Sequence, residues 1–258
     1  MAETRQTELA HADSRESVTP LGPVRRSRDL RVYLVVLGGV MMLADLSFIF
    51  WVAPTDSILG DIQRVFYFHV PIAVMSFLAF FVVFVASIVY LVTRSPAWDR
   101  LAQASAEVGV VFVTLALITG VIWARPIWGV WWTWEPRLTT TLILWLIYVA
   151  YLMVRAYAAN PNQGARYSAV VGIVGFVDVP IVYYSVIWWR SIHPSPVVGP
   201  LAQANALEGT MAAVLLFSFI TFLILFVFLV AQRMALRETE DRLGGIKSAM
   251  RRRAESVF

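Results

Sequence analysis

Long apolar runs alternate with short polar stretches along this chain. Six runs, roughly 32–53, 69–93, 103–124, 138–157, 167–189 and 207–232, are strongly apolar and carry few charges. Each meets the ~20 apolar residues a helix needs to cross a bilayer. The pattern predicts an all-α polytopic membrane protein with six transmembrane helices and no separate soluble domain. Residues 1–30 are polar with no apolar face and read as a disordered tail. The first apolar run starts too late and runs too long for a signal peptide. Residues 31–232 make the membrane domain, and 233–258 a charged, helix-prone tail ending in Arg251-Arg252-Arg253.

Composition agrees. Of 258 residues, 59% are hydrophobic and 15% charged, against about 45–50% and about 25% in soluble domains. Basic residues set the orientation. They crowd before the first run (Arg5, Arg15, Arg25, Arg26, Arg28, Arg31), between the second and third (Arg94, Arg100), around the fourth-to-fifth connection (Arg155, Arg166) and after the sixth. The remaining faces hold only Arg64, Arg125, Arg137 and Arg190. Both termini are therefore expected in the cytoplasm, with outer loops at about 54–68, 125–137 and 190–206. Anionic lipid accounts for the basic tails, so no nucleic-acid partner is expected. The chain has no cysteine, which excludes disulfides, iron–sulfur clusters and covalent haem attachment through Cys-x-x-Cys-His. It also lacks a phosphate-binding Gly-x-x-x-x-Gly-Lys-Ser/Thr loop, so any energy input comes from a partner.

The second outer loop carries the densest chemistry. Trp128, Trp131, Trp132 and Trp134 fall within seven residues, followed by Glu135, Pro136 and Arg137. Positions 128, 131, 132 and 135 have helical spacing, which predicts a short interfacial helix with three indoles and Glu135 on one face. Pro136 disfavours helix at Glu135 and should end it there. Trp51, Trp123, Trp188 and Trp189 suit an ordinary aromatic belt, whereas the dense run suggests a platform for a flat aromatic ligand. Of three histidines, His11 lies in the tail and is assigned no role, while His69 and His193 lie at outer ends of spans. Two neutral imidazoles can fill both axial positions of a haem iron. Neither histidine belongs to a zinc-hydrolase motif. Arg64, Arg137 and Arg190 are candidates for haem propionates, because a guanidinium bonds both carboxylate oxygens. Inside the spans, Asp178 precedes Pro180, where a carboxylate costs ~2.5–3.5 kcal/mol. It is protonated, or bonds backbone freed by Pro180, or faces a polar interior. Asp45 and Glu107 pose the same question and can share interhelical hydrogen bonds.

Three stretches resemble the cytochrome c maturation protein C family, also called haem exporter protein C, among the WWD-domain haem-handling membrane proteins. Trp128-Gly129-Val130-Trp131-Trp132-Thr133-Trp134-Glu135-Pro136-Arg137-Leu138-Thr139 is similar to the family's Trp-Gly-x-Trp-Trp-x-Trp-Asp-x-Arg-Leu-Thr. Arg64 to Pro71 resembles the stretch bearing its first axial histidine, and Pro180 to His193 the stretch bearing the second. Glu135 stands where the family usually has aspartate, and Asp178 where an uncharged polar residue is usual. The resemblance implies a non-enzymatic haem-binding and delivery protein of the bacterial cytoplasmic (inner) membrane. It further implies that haem b is held non-covalently at the periplasmic face by His69 and His193, against Trp128, Trp131, Trp132 and Trp134, with Glu135 orienting the loop or chaperone. It implies as partners the haem chaperone cytochrome c maturation protein E, an ATP-binding cassette ATPase, a second membrane subunit and a small single-span protein. Two other classes compete: a quinol-oxidising b-haem membrane anchor, disfavoured because no histidine lies deeper in a span than His69, and a haem transporter, at which Asp178-Val179-Pro180 and Gly120 hint but for which no internal repeat is found.

Overall fold

The computed structural model describes residues 25–189, 191–202 and 206–255. The predicted tail of residues 1–30 therefore lies largely outside the described residues. Among these, six helices are long and apolar enough to cross a membrane: Arg31–Val52, Asp61–Thr93, Pro96–Trp128, Pro136–Tyr157, Pro161–Trp188 and Gly209–Glu255. This is a multi-pass, all-α membrane protein.

The first span is α1 (Arg25–Ser47), prolonged by a π-helical turn at Phe48–Val52. A short 3-10 turn, Asp61–Val65, leads into α2 (Phe66–Thr93). Arg94 takes a left-handed conformation (φ 57°) and ends α2. Pro96 then opens α3 (Pro96–Trp128), where its missing N–H is no loss. The fourth span is α4 (Pro136–Tyr157). The fifth is interrupted: α5 (Pro161–Phe176) and α6 (Asp178–Trp188) meet at Val177. Pro180 has no N–H to offer the carbonyl four residues back, so the ladder breaks there. Helix α7 (Gly209–Glu255) carries the sixth span and continues through the charged tail as one rod.

The α2–α3 hairpin forms the centre, with α7 and then α1 on one side and α4, α5 and α6 on the other. One core joins α2, α3 and α7 through Met75, Ala79, Phe112, Ala116, Phe222 and Phe226. A second joins α2, α3, α4 and α6 through Phe80, Val113, Leu144, Tyr148 and Val182. Without water to drive apolar surfaces together, membrane helices associate through close packing at small residues and through polar bonds. Both devices are present. A Cβ at Gly109 would meet the Phe80 ring at 2.6 Å, and one at Gly175 would meet Ile147 at 2.5 Å. Phe80 in turn stacks on Tyr148 at 3.6 Å between centroids. Ser218 on α7 donates to Asp45 on α1 at 2.7 Å, and Trp145 donates to Thr114 at 2.9 Å. Far along α3 from its Trp128 end, Glu107 pairs with Arg233 and Arg237 of α7, and Asp99 with Arg155 of α4.

Asp178 falls in the first turn of α6, where a negative group meets the positive end of the helix dipole. It is buried, and its Oδ2 has no hydrogen-bond partner among the described residues.

Candidate functional site

Three elements converge at one end of the bundle: the first turns of α2, the α3–α4 junction, and the segment after α6. His69 stands in the first turn of α2. Its Nδ1 lies 2.9 Å from Thr119 Oγ1 on α3, and its ring lies 5.8 Å from Trp123 between centroids. A Cβ at Gly120 would sit 3.2 Å from His69 Cε1, so the imidazole rests on bare α3 backbone. His193 is carried by the segment after α6. Its Nδ1 is 3.0 Å from the Pro194 carbonyl oxygen, and its ring approaches Trp128 edge-on at 6.4 Å. Both imidazoles are half-buried and line one cleft.

The cleft consists of two adjoining cavities of about 80 and about 240 Å³ that share His69, Ala73, Phe77, Trp123, Arg137, His193 and Pro194. Together they reach the lower end of ligand-pocket sizes, ~300–1,000 Å³. The α3 wall is a broad helical face that includes Ala116, Gly120, Trp123, Ala124, Ile127 and Trp128. Ala116, Gly120 and Ala124 leave room there beside the indoles of Trp123 and Trp128. Trp123 and Gly120 were not among the expected site residues. The signal lay in the helical row of positions 116, 120, 123 and 127 along α3.

The tryptophan segment is not the helix that its spacing suggested. Helix α3 runs on to Trp128 and stops at Gly129, which is left-handed (φ 76°) and donates to the Arg125 carbonyl at 3.0 Å. From Gly129 to α4 the backbone is irregular. A left-handed glycine at one end and Pro136 at the other leave too few residues to nucleate another helix. The four indoles consequently divide, with Trp132 and Trp134 still meeting edge-on at 5.6 Å between centroids. Trp128 and Trp132 line the cleft, while Trp131 and Trp134 are 57% and 75% exposed.

Glu135 is buried and caps α4, accepting from Leu138 N at 2.7 Å and Arg137 N at 3.1 Å. It also accepts from the Ser191 hydroxyl, and Ser191 Oγ accepts the His193 N–H at 3.0 Å. The carboxylate thus ties the tryptophan segment to the segment bearing His193. Tyr183 fastens that segment from the other side, donating to the Val198 carbonyl at 2.9 Å and accepting from Leu201 N at 3.1 Å.

The arginines divide. Arg137 lines both cavities, and its Nη1 has no hydrogen-bond partner among the described residues. The indole nitrogens of Trp123 and Trp132 are likewise buried and unpartnered. Arg64 is engaged elsewhere, bonding the Ile49 carbonyl, Asp61 and Thr55. Arg190 lies outside the described residues. Burial, reinforced by the Arg137 cation, lowers the His193 pKa to about 4. That keeps the imidazole neutral at physiological pH, as a metal ligand must be.

No group of three or more His, Cys, Asp or Glu side chains converges among the described residues. Two imidazoles suit a metal that brings its other donors with it. Unpartnered cationic and N–H donors beside aromatic walls suit a flat ligand bearing carboxylates.

A family model described as heme exporter protein C matches residues 18–245. The chain belongs to the heme exporter protein C family. The member from Bradyrhizobium diazoefficiens is 37% identical over 175 residues, 68% of this chain and 66% of its own length. The Escherichia coli K12 member is 31% identical over 202 residues, 78% of this chain and 81% of its own. A Marchantia polymorpha relative, described as a cytochrome c biosynthesis ccmC-like mitochondrial protein, is 31% identical over 67% of this chain and 73% of its own. The family match spans the whole cleft.

Proposed function

We propose that this protein binds haem b non-covalently in the cleft and hands it on for cytochrome c maturation, acting as a delivery factor and not as an enzyme. The coarse part follows from family membership: a membrane protein that handles haem in cytochrome c biogenesis. The finer part rests on one observation. His69 and His193, from elements far apart in sequence, line the same aromatic cleft with Arg137 between them in the chain and beside them in space.

In this reading His69 and His193 supply the two axial nitrogens and Trp128 and Trp132 flank the porphyrin. The Arg137 guanidinium and the Trp123 and Trp132 indole N–H groups meet the propionates. Haem supplies the iron and four equatorial nitrogens, so two protein ligands complete the coordination. Exposed Trp131 and Trp134 lie outside the cleft, where a receiving protein can reach them. The recipient is the haem chaperone cytochrome c maturation protein E. An ATP-binding cassette ATPase, a second membrane subunit and a small single-span protein complete the assembly in the cytoplasmic membrane, with the cleft facing outward.

The test is optical. Purified His69→Ala, His193→Ala and the double variant are titrated with haem and followed by the Soret band. Each single change should weaken binding and shift the spectrum, and the double should abolish it. Wild-type occupancy and spectrum in the double variant would overturn the ligand assignment.

A further inference from the structure

We propose that Thr119 is a positioning residue that presets His69 before any ligand arrives, by holding its proton on Nδ1 and leaving Nε2 bare toward the cleft. The inference rests on the reading of His69 as a ligand and concerns a residue that plays no direct part in that reading.

The argument starts from the hydroxyl. Thr119 Oγ1 lies 2.8 Å from the Leu115 carbonyl oxygen and 3.2 Å from that of Ala116. Both are acceptors only, and a hydroxyl has one hydrogen. If that hydrogen pointed at His69, the oxygen lone pairs would face two carbonyl oxygens at hydrogen-bond distance. Pointing it at the carbonyls removes that repulsion and turns a lone pair toward His69 Nδ1, 2.9 Å away. Nδ1 must then be the donor, and a neutral imidazole with its proton on Nδ1 has its free lone pair on Nε2. The neighbouring position fixes the ring's tilt. The absent side chain of Gly120 leaves Cε1 and Nδ1 turned to α3, at 3.2 and 3.9 Å from where a Cβ would stand. The Ala116 carbonyl, also beside the ring, is an acceptor only. His193 reaches the same state by another route: its Nδ1 faces the Pro194 carbonyl at 3.0 Å, which can only accept. Both imidazoles therefore present the same nitrogen, one set by a side chain that substitution can remove.

Hydrogen bonds of this kind orient metal-bound histidines, and losing one typically weakens binding about 10–100-fold. Haem-free protein labelled with 15N-histidine gives a readout independent of haem. With three histidines in the chain, His69→Ala and His193→Ala assign the signals. Wild type should show His69 protonated at Nδ1. Thr119→Val, which keeps the shape and loses the oxygen, should shift it toward Nε2–H and weaken Soret-monitored haem binding at least about 10-fold. Thr119→Ser should restore both. If Thr119→Val is poorly folded, the wild-type tautomer still decides: a proton on Nε2 overturns the proposal. So does a Thr119→Val protein that keeps wild-type tautomer and affinity while His69→Ala loses haem. Unchanged haem binding in His69→Ala would instead sink the ligand reading, leaving the tautomer result to stand alone.

Discussion

At the scale of single residues, what matters is how bonds between side chains and backbone hold a ligand in place. Glu135 does two jobs with one carboxylate, capping α4 and holding Ser191. The usual family aspartate is one methylene shorter. Glu135→Asp should keep the cap and lose the reach to Ser191, as should Ser191→Ala by removing the hydroxyl. Each should cost ~0.5–1.5 kcal/mol in thermal unfolding and weaken haem binding by loosening His193. Equal affinity in both variants and wild type would show that the bond is incidental. A pH effect belongs here too. His193 titrates near 4 when folded and near 6.5 when unfolded. Between those values the unfolded chain binds the extra proton, so stability falls as pH drops from about 6.5 to about 4. NMR titration of haem-free protein should place the His193 midpoint well below 6.5, and Arg137→Gln should raise it. A wild-type midpoint at 6.5 would mean the ring is solvated. The imidazoles, Arg137 and Glu135 were legible in the sequence because the chain has three histidines and few charges at the outer ends of its spans. Thr119, Ser191 and Gly120 were not, since small polar residues and glycines are common in membrane helices and gain meaning from what crosses them.

At the scale of elements, helices were legible, and so was an irregularity at Pro180, but hydropathy alone does not place the interruptions. Hydropathy locates spans because bilayer thickness fixes their length. It does not register that α3 continues to Trp128 or that the fifth span breaks at Val177. Those depend on one backbone dihedral at Gly129 and one missing N–H at Pro180. The tryptophan spacing misled for a related reason: a helical period costs nothing to write across eight residues, but a helix needs room to nucleate. Helix contacts also depend on single atoms. Gly109 lets α3 lie against Phe80, which cannot retreat because Tyr148 is stacked behind it. Gly109→Val should therefore cost ~1–3 kcal/mol by overpacking, read as a lower unfolding temperature in detergent. Gly39→Val, where a Cβ meets nothing within 4 Å, is the control and should be near neutral. Equal effects from the two would mean the α2–α3 contact is looser than the structure has it.

At the scale of the whole molecule, charge and aromatic character separate along the helix axes. Tryptophans, histidines and Arg137 gather where α3 ends. Asp99–Arg155 and Glu107 with Arg233 and Arg237 gather toward the other end, from which α7 projects its charged extension. With six spans, the start of α1 and the end of α7 fall on one side, and the orientation proposed from the positive-inside rule puts that side in the cytoplasm. The native chain has no cysteine, so single cysteines report sidedness without background. Ser57→Cys and Ala206→Cys lie in exposed positions at the cleft end, Asn162→Cys and Ser248→Cys at the other. An impermeant thiol reagent applied to intact spheroplasts should label the first pair at once. It should reach the second pair only after lysis. The reverse pattern would turn the cleft to the cytoplasm, and with it the direction in which any bound cargo is offered. Labelling of one member from each pair would break the six-span topology itself, because two positions joined by an even number of crossings cannot face opposite sides.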